Sequence, residues 1–278
     1  MKASWKHIYI NENIFCNSYF HSKEAPNIIV THTPIVSTIA MKPAYQALQE
    51  FGVNIFAIDF TGTGKSRGNS SEFSLESLCN DLDETVEFIT EGYSDNIHVF
   101  GYTGIGGIFA QYYLSGTNKI KTFSQFACAI PGDTRSLGIP FPVARVLLGI
   151  MKGITFVRPE AKMPWSPPKY TGYNAELDNS FYEDLAEKYP EAMKSAIKIF
   201  EALFECITSK ESKLKQDINC PTLVFKTLHD RYFPAEYFDR YYEQLKCKKK
   251  LVTFDDVHNI YYYKGDKFCE KVVEWIKQ

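Results

Sequence analysis

Residues 96–114, NIHVFGYTGIGGIFAQYYL, constrain this chain more than any other stretch. Ile97, Val99 and Phe100 read as a buried strand, the run Gly101-Tyr102-Thr103-Gly104-Ile105-Gly106-Gly107 follows, and an apolar helix begins at once. An abrupt strand–glycine–helix step of this kind needs a parallel sheet to carry it and lifts one side chain above the sheet's end. The side chain at the apex is Thr103, a hydroxyl.

The rest of the chain supplies such a sheet. Two alternating segments, 5–10 and 15–20, flank Asn11-Glu12-Asn13 as a hairpin. Apolar strands are expected at 27–30, 53–60, 122–130, 220–227 and 249–254. Helices are expected from about Ser37 to Phe51, stopped by Gly52, and then at 74–90, 235–245 and 267–277. Strands alternating with helices imply an α/β fold: a mostly parallel central sheet with helices on both faces. The rhythm breaks at Pro131: seven of the thirteen prolines fall from Pro131 to Pro168, and two helical stretches follow at 175–189 and 191–208. The expected organisation is a core of residues 1–132 and 213–278 with a helical cap, 133–212, inserted over the C-terminal strand edge, where open α/β sheets bind ligands.

Composition excludes several classes. The net charge of −2 with interspersed signs gives no footprint for nucleic acid. The polar, mixed N-terminus argues against a signal peptide. The longest apolar stretch, 139–157, is broken by Pro142, Arg145 and Lys152 and makes a poor membrane span. Seven scattered cysteines without a CxxC pair read as reduced core residues, so the expected location is the cytoplasm. No metal or redox cofactor is expected. Gly64-Lys65-Ser66 lacks the first glycine of a P-loop, and Gly104-Ile105-Gly106-Gly107 lacks the last glycine of a dinucleotide fingerprint.

A hydroxyl nucleophile needs a base, and the base needs an orienting acid. On a strand-turn-helix elbow the partners follow in the order nucleophile, acid, histidine. Asp230 stands just past the strand ending at Thr227, and His258 stands in the loop after the next strand. His229, Asp255 and Asp256 lie close enough in sequence to compete for these roles.

At these residues the chain resembles the α/β-hydrolases, in particular the monoacylglycerol lipase and serine aminopeptidase S33-like (lysophospholipase-like) branch. The likeness rests on the elbow, on Asp59-Phe60-Thr61-Gly62-Thr63-Gly64-Lys65-Ser66 as the branch's D-x-x-G-x-G-x-S turn, on the cap, and on the Asp230 and His258 loops. The resemblance implies an acyl-ester or acyl-thioester hydrolase or acyltransferase with a Thr103-His258-Asp230 triad, and oxyanion donors at Gly104 and Thr33. Its substrate would be a small acyl ester or thioester, free or carrier-bound. Three positions depart from the pattern. Threonine stands where the branch has serine, and Ile105 replaces the elbow's last glycine, which puts a side chain where strand and helix are expected to approach closely. His32-Thr33-Pro34 replaces His-Gly-x and puts a proline, which has no N–H, at a donor position. These departures point instead to a protein that forms no acyl-enzyme: a binding pseudoenzyme, or one using His258 for proton transfer or a lyase reaction.

The cap carries the substrate information. Leu147 and Met151 lie in a stretch that is apolar all round, which suits a core helix and an acyl-binding lid equally well. Trp165 and Phe204, with Met163, Phe200 and Leu203, would complete an apolar tunnel. Tyr102 and Pro34, beside the hydroxyl and in the oxyanion loop, are the remaining candidate substrate contacts. Tyr261 and its two tyrosine neighbours would line the mouth or pack under the last helix.

Overall fold

The computed structural model describes residues 4–166, 169–208 and 217–278. Eight strands form one sheet: β1 (Trp5–Ile10), β2 (Ile14–Tyr19), β3 (Asn27–Thr31), β4 (Asn54–Ile58), β5 (Ile97–Gly101), β6 (Thr122–Gln125), β9 (Thr222–Thr227) and β10 (Lys249–Phe254). Their spatial order is β1-β2-β4-β3-β5-β6-β9-β10. β1 and β2 form an antiparallel hairpin, β2 pairs antiparallel with β4, and every other pair in the sheet is parallel.

Strand alternation sorts side chains onto two cores, one on each face. Phe56 and Ile58 of β4, Ile29 of β3 and Val99 of β5 face α1 (Leu75–Gly92), α2 (Gly104–Leu114) and α6 (Ala235–Gln244). Ile55, Ala57, Ile28, Val30 and Phe100 face the other way, toward α7 (Gly265–Ile276) and the segment around Tyr45. Because both faces are covered, the strands read as near-continuous apolar runs. Ser74 caps α1 by accepting from the Ser77 N–H, and the Ser77 hydroxyl returns the bond.

Three elements differ from the sequence expectations. Residues 42–44 and 46–51 form two short 3₁₀ helices rather than one α-helix, since Pro43 interrupts the pattern at its start. Only residues 122–125 of the expected 122–130 strand pair with neighbours, because the chain then turns away from β9 toward the insertion. The expected helix 191–208 is instead a 3₁₀ turn that starts at Pro190, a short strand β8 (Lys194–Ala196) and α5 (Ile197–Thr208).

Between β6 and β9 lie α3 (Phe141–Val157), β7 (Lys162–Pro164), α4 (Ala175–Lys188), β8 and α5, with β7 and β8 forming their own antiparallel pair. The expected boundary at 212/213 lies outside the described residues. Of α3 only Ala144 and Thr155 are buried, and Val146, Ile150 and Phe156 are exposed, so this apolar helix is not a core helix. No helix among the described residues is long and apolar enough to cross a membrane.

One buried histidine gives the sheet a pH dependence. His98 in β5 is 4% exposed and sits between the Thr122 hydroxyl (2.8 Å from Nδ1) and the Asn96 side-chain oxygen (3.0 Å from Nε2). Burial, aided by nearby Lys121, lowers its pKa from 6.5 to about 4. Between these values the unfolded chain takes up a proton that the folded protein refuses. The stabilisation is therefore complete above pH 6.5 and is lost as pH falls toward 4. Urea midpoints should fall across that window, and His98→Gln should flatten the slope. An unchanged slope in the folded variant would refute the assignment to His98.

Candidate active site

The ends of β3, β4, β5, β9 and β10 bring five loops to one edge of the sheet. Thr103 follows β5 with φ 54° and ψ 112° and is 4% exposed. A β-branched residue at positive φ is strained, by about 1–3 kcal/mol. Helix α2 starts at the next residue, so Gly104 N–H is one of the donors at a helix start without an intrahelical acceptor.

Ile105 does not crowd the turn, contrary to the expectation for the missing glycine. The close approach falls one and two residues later. A Cβ on Gly106 would lie 2.5 Å from the His32 backbone, and one on Gly107 would lie 2.5 Å from the Ala127 carbonyl oxygen. Ile105 is left free to line a cavity instead.

The loop after β3 is held from below by the turn after β4. Asp59 is buried, and its Oδ1 accepts the Thr38 N–H at 2.6 Å and faces His32 Nε2 at 3.1 Å. Its Oδ2 accepts from the Ser37 hydroxyl and the Lys65 N–H, each at 2.8 Å. Gly64, at φ 52°, gives the carboxylate room, since a Cβ there would collide with it. The D-x-x-G-x-G-x-S turn thus braces the His32-Thr33-Pro34 loop. In that loop the Thr33 N–H donates to Thr103 Oγ1 at 2.7 Å.

Asp230 and His258 meet after β9 and β10. Asp230 Oδ2 lies 2.7 Å from His258 Nδ1 and 3.0 Å from the Thr227 hydroxyl. Oδ1 accepts the Tyr232 and Phe233 N–H groups, each at 2.8 Å. The Asp230 side chain is fully buried and that of His258 is 5% exposed. With four donors converging on it the carboxylate has none to offer, so Nδ1 carries a hydrogen, and in the neutral imidazole Nε2 is the nitrogen with the lone pair. The competing residues are occupied elsewhere: His229 pairs with Asp255 at 2.9 Å on the surface, and Asp256 pairs with Lys264 at 2.7 Å.

Thr103 and His258 line the same cavity of about 360 Å³. Among the described residues no hydrogen bond joins Oγ1 to the imidazole; Oγ1 is held by the Thr33 N–H. The walls are apolar, built from Ile105, Ile108, Leu137, Met163, Trp165, Phe200, Leu203 and Phe233, with Gly104 and Thr33 beside the hydroxyl. Phe233 stacks parallel to the His258 ring, and Tyr232 lies 4.6 Å from it, centroid to centroid.

Five of the remaining sequence candidates, Tyr102, Pro34, Leu147, Met151 and Phe204, lie outside this cavity. Tyr102 is fully buried and donates its hydroxyl to the Met41 carbonyl. Pro34 borders a separate, more polar cavity with Gly62, Thr63 and Lys65. Leu147 and Met151 are half-buried on α3. Phe204 is buried on α5, next to the lining residue Leu203 and one turn after the lining residue Phe200. Tyr261 lines the cavity, and Tyr262 and Tyr263 do not. Sequence reasoning passed over Phe181, Tyr182, Tyr232 and Asn259, all of which line it. Among the described residues no cluster of histidine, cysteine or carboxylate side chains is arranged to hold a metal.

Comparison with known proteins agrees with this architecture. The profile of the serine aminopeptidase S33 family matches residues 26–261. A monoacylglycerol lipase of Paleococcus ferrophilus is 19% identical with a TM-score of 0.69, covering 99% of this chain and 98% of that one. An esterase of Exiguobacterium antarcticum is 16% identical with a TM-score of 0.65, covering 95% and 96%. A thioesterase domain from the curacin biosynthetic pathway is 13% identical with a TM-score of 0.67, covering 99% and 100%. At these identities the solved structures establish a shared fold. No curated protein matches by sequence.

Proposed function

The chain belongs to the serine aminopeptidase S33 family of α/β-hydrolases, and from that premise we propose that it cleaves or transfers an apolar acyl group through Thr103. In this reading Thr103 Oγ1 attacks an ester or thioester carbonyl while His258 Nε2 takes its proton. Asp230 holds the imidazole in the tautomer that makes Nε2 the base. The new Oγ1–carbon bond forms, the bond to the leaving oxygen or sulfur breaks, and the leaving group receives the proton from His258. Water or a bound alcohol, amine or thiol then repeats the sequence on the acyl-threonine.

The supporting observation is one juxtaposition. A threonine at φ 54° and a histidine whose Nδ1 is bound to a buried aspartate line the same apolar cavity. Gly104 N–H and Thr33 N–H are the candidate oxyanion donors. Thr33 N–H now rests on Oγ1 itself, and the carbonyl oxygen of an attacked substrate would lie one bonded carbon away from that atom. A small rotation transfers the bond from the hydroxyl to the oxyanion, so Thr33 takes the part that Pro34 lacks the N–H to play. The cap and the volume of about 360 Å³ suit a hydrocarbon chain.

The same Thr33–Thr103 bond favours a second reading, because it engages Oγ1 while no hydrogen bond joins Oγ1 to His258 among the described residues. The protein would then form no acyl-enzyme, and would bind an apolar ligand or use His258 as a general base.

Intact-protein mass spectrometry separates the two. Incubation with short- and long-chain acyl thioesters and p-nitrophenyl esters should give an acyl adduct on the wild type and none on Thr103→Ala. No adduct and no product from any of these substrates would overturn the acyl-transfer reading.

A further inference from the structure

Asp178 lies in the first turn of α4, far from Thr103 in sequence, and its side chain has no solvent exposure. Its two oxygens are divided between two loops. Oδ2 accepts from Arg231 Nη1 at 2.6 Å, and Oδ1 accepts the Asn259 N–H at 3.0 Å. Arg231 directly follows Asp230, and Asn259 directly follows His258. The Arg231 guanidinium also donates to the Tyr173 carbonyl at 2.8 Å and the Thr171 carbonyl at 3.3 Å, both just ahead of α4.

We propose that Asp178 is a positioning residue: a buried carboxylate on the inserted segment that sets the Asp230 and His258 loops relative to each other. The inference rests on reading Asp230 and His258 as a catalytic pair. A buried carboxylate is costly unless it is fully paired. Here the pairing exists only while α4 is seated on both loops, so seating the insertion and aligning the pair are one event. Other contacts run in the same direction. Tyr182 of α4 shares a hydroxyl hydrogen bond with Tyr232, whose ring lies against His258. Tyr173 stacks on His229 with centroids 4.0 Å apart.

The test is Asp178→Asn in the full chain, read by kinetics on a p-nitrophenyl ester and by the downfield proton resonance of His258 Nδ1–H. Asparagine keeps an acceptor for one loop and removes the charge that holds the other. A displacement on the order of 1 Å at the pair predicts a loss of about 10- to 100-fold in kcat, with KM within about two-fold. The His258 resonance should broaden or disappear while the thermal midpoint still reports a folded protein. A folded variant with wild-type kcat, an effect confined to KM, or an unaltered resonance overturns the proposal. If Asp178→Asn does not fold, Arg231→Lys is the alternative. It should show a smaller loss of kcat and the same spectroscopic change, and a wild-type result in it overturns the proposal equally. A wild type that turns over no ester would count against the acyl-transfer reading alone, since the resonance still reports on the loops.

Discussion

Thr103→Ser should raise acyl-transfer activity, by about 10-fold in kcat/KM, and Thr103→Ala should lower it by about 10⁴-fold or more. Both expectations come from the backbone at the elbow. At φ 54° a branched Cβ carries a steric penalty that serine, with one substituent fewer, largely escapes. The same methyl restricts the rotation by which Oγ1 would leave the Thr33 N–H and reach His258 Nε2. Serine frees that rotation and keeps the hydroxyl, so the fraction of molecules with a reactive geometry rises. Stability should rise with it, by roughly 1 kcal/mol. Alanine keeps the turn and loses the nucleophile, which leaves only the donors and the cavity to act on substrate. Steady-state kinetics on one ester, with thermal midpoints for all three proteins, checks the series. A folded Thr103→Ala that retains activity removes the covalent mechanism, and a Thr103→Ser that is slower than wild type removes the strain argument.

The parts of this molecule that could be read from residues are those governed by local rules. The apolar runs around Phe56 and Val99, the glycines of the elbow, and the placing of Asp230 and His258 just past the strands they follow each rest on a few neighbouring positions. What could not be read depends on which surface an element meets. The apolar α3 gives no periodic cue that Val146 and Ile150 face outward. On α5 Phe204 is buried without lining the cavity, although Leu203 beside it and Phe200 one turn before it both line it. The missing elbow glycine predicts crowding at Ile105, whereas the backbone of His32 reaches the helix at Gly106. Asp178 was illegible for a different reason. Its partners lie 53 and 81 residues away, and nothing local marks an acidic residue in a helix's first turn as buried.

The pair opposite the elbow carries the second large expectation: Asp230→Asn should lower kcat on the order of 10³- to 10⁴-fold without unfolding the protein. Four donors converge on this carboxylate, two from the backbone of Tyr232 and Phe233 and two from Thr227 and His258. An amide has one oxygen to offer. The Tyr232 and Phe233 N–H groups cannot reorient, so the amide oxygen goes to them and the NH₂ turns toward Thr227 and His258. The Thr227 hydroxyl can accept, but Nδ1 can accept from an NH₂ only by giving up its hydrogen. The imidazole then carries its hydrogen on Nε2, facing the cavity, and has no lone pair to receive the Thr103 proton. The shape of the site survives and its proton path does not, so the loss should appear in kcat while KM changes little. Asp230→Ala is the control that separates tautomer from support, because it removes the competing NH₂ along with the carboxylate. If the tautomer argument holds, Asp230→Ala should retain more activity than Asp230→Asn once the thermal midpoints show both to be folded. An asparagine variant as active as wild type would mean that His258 is not the base.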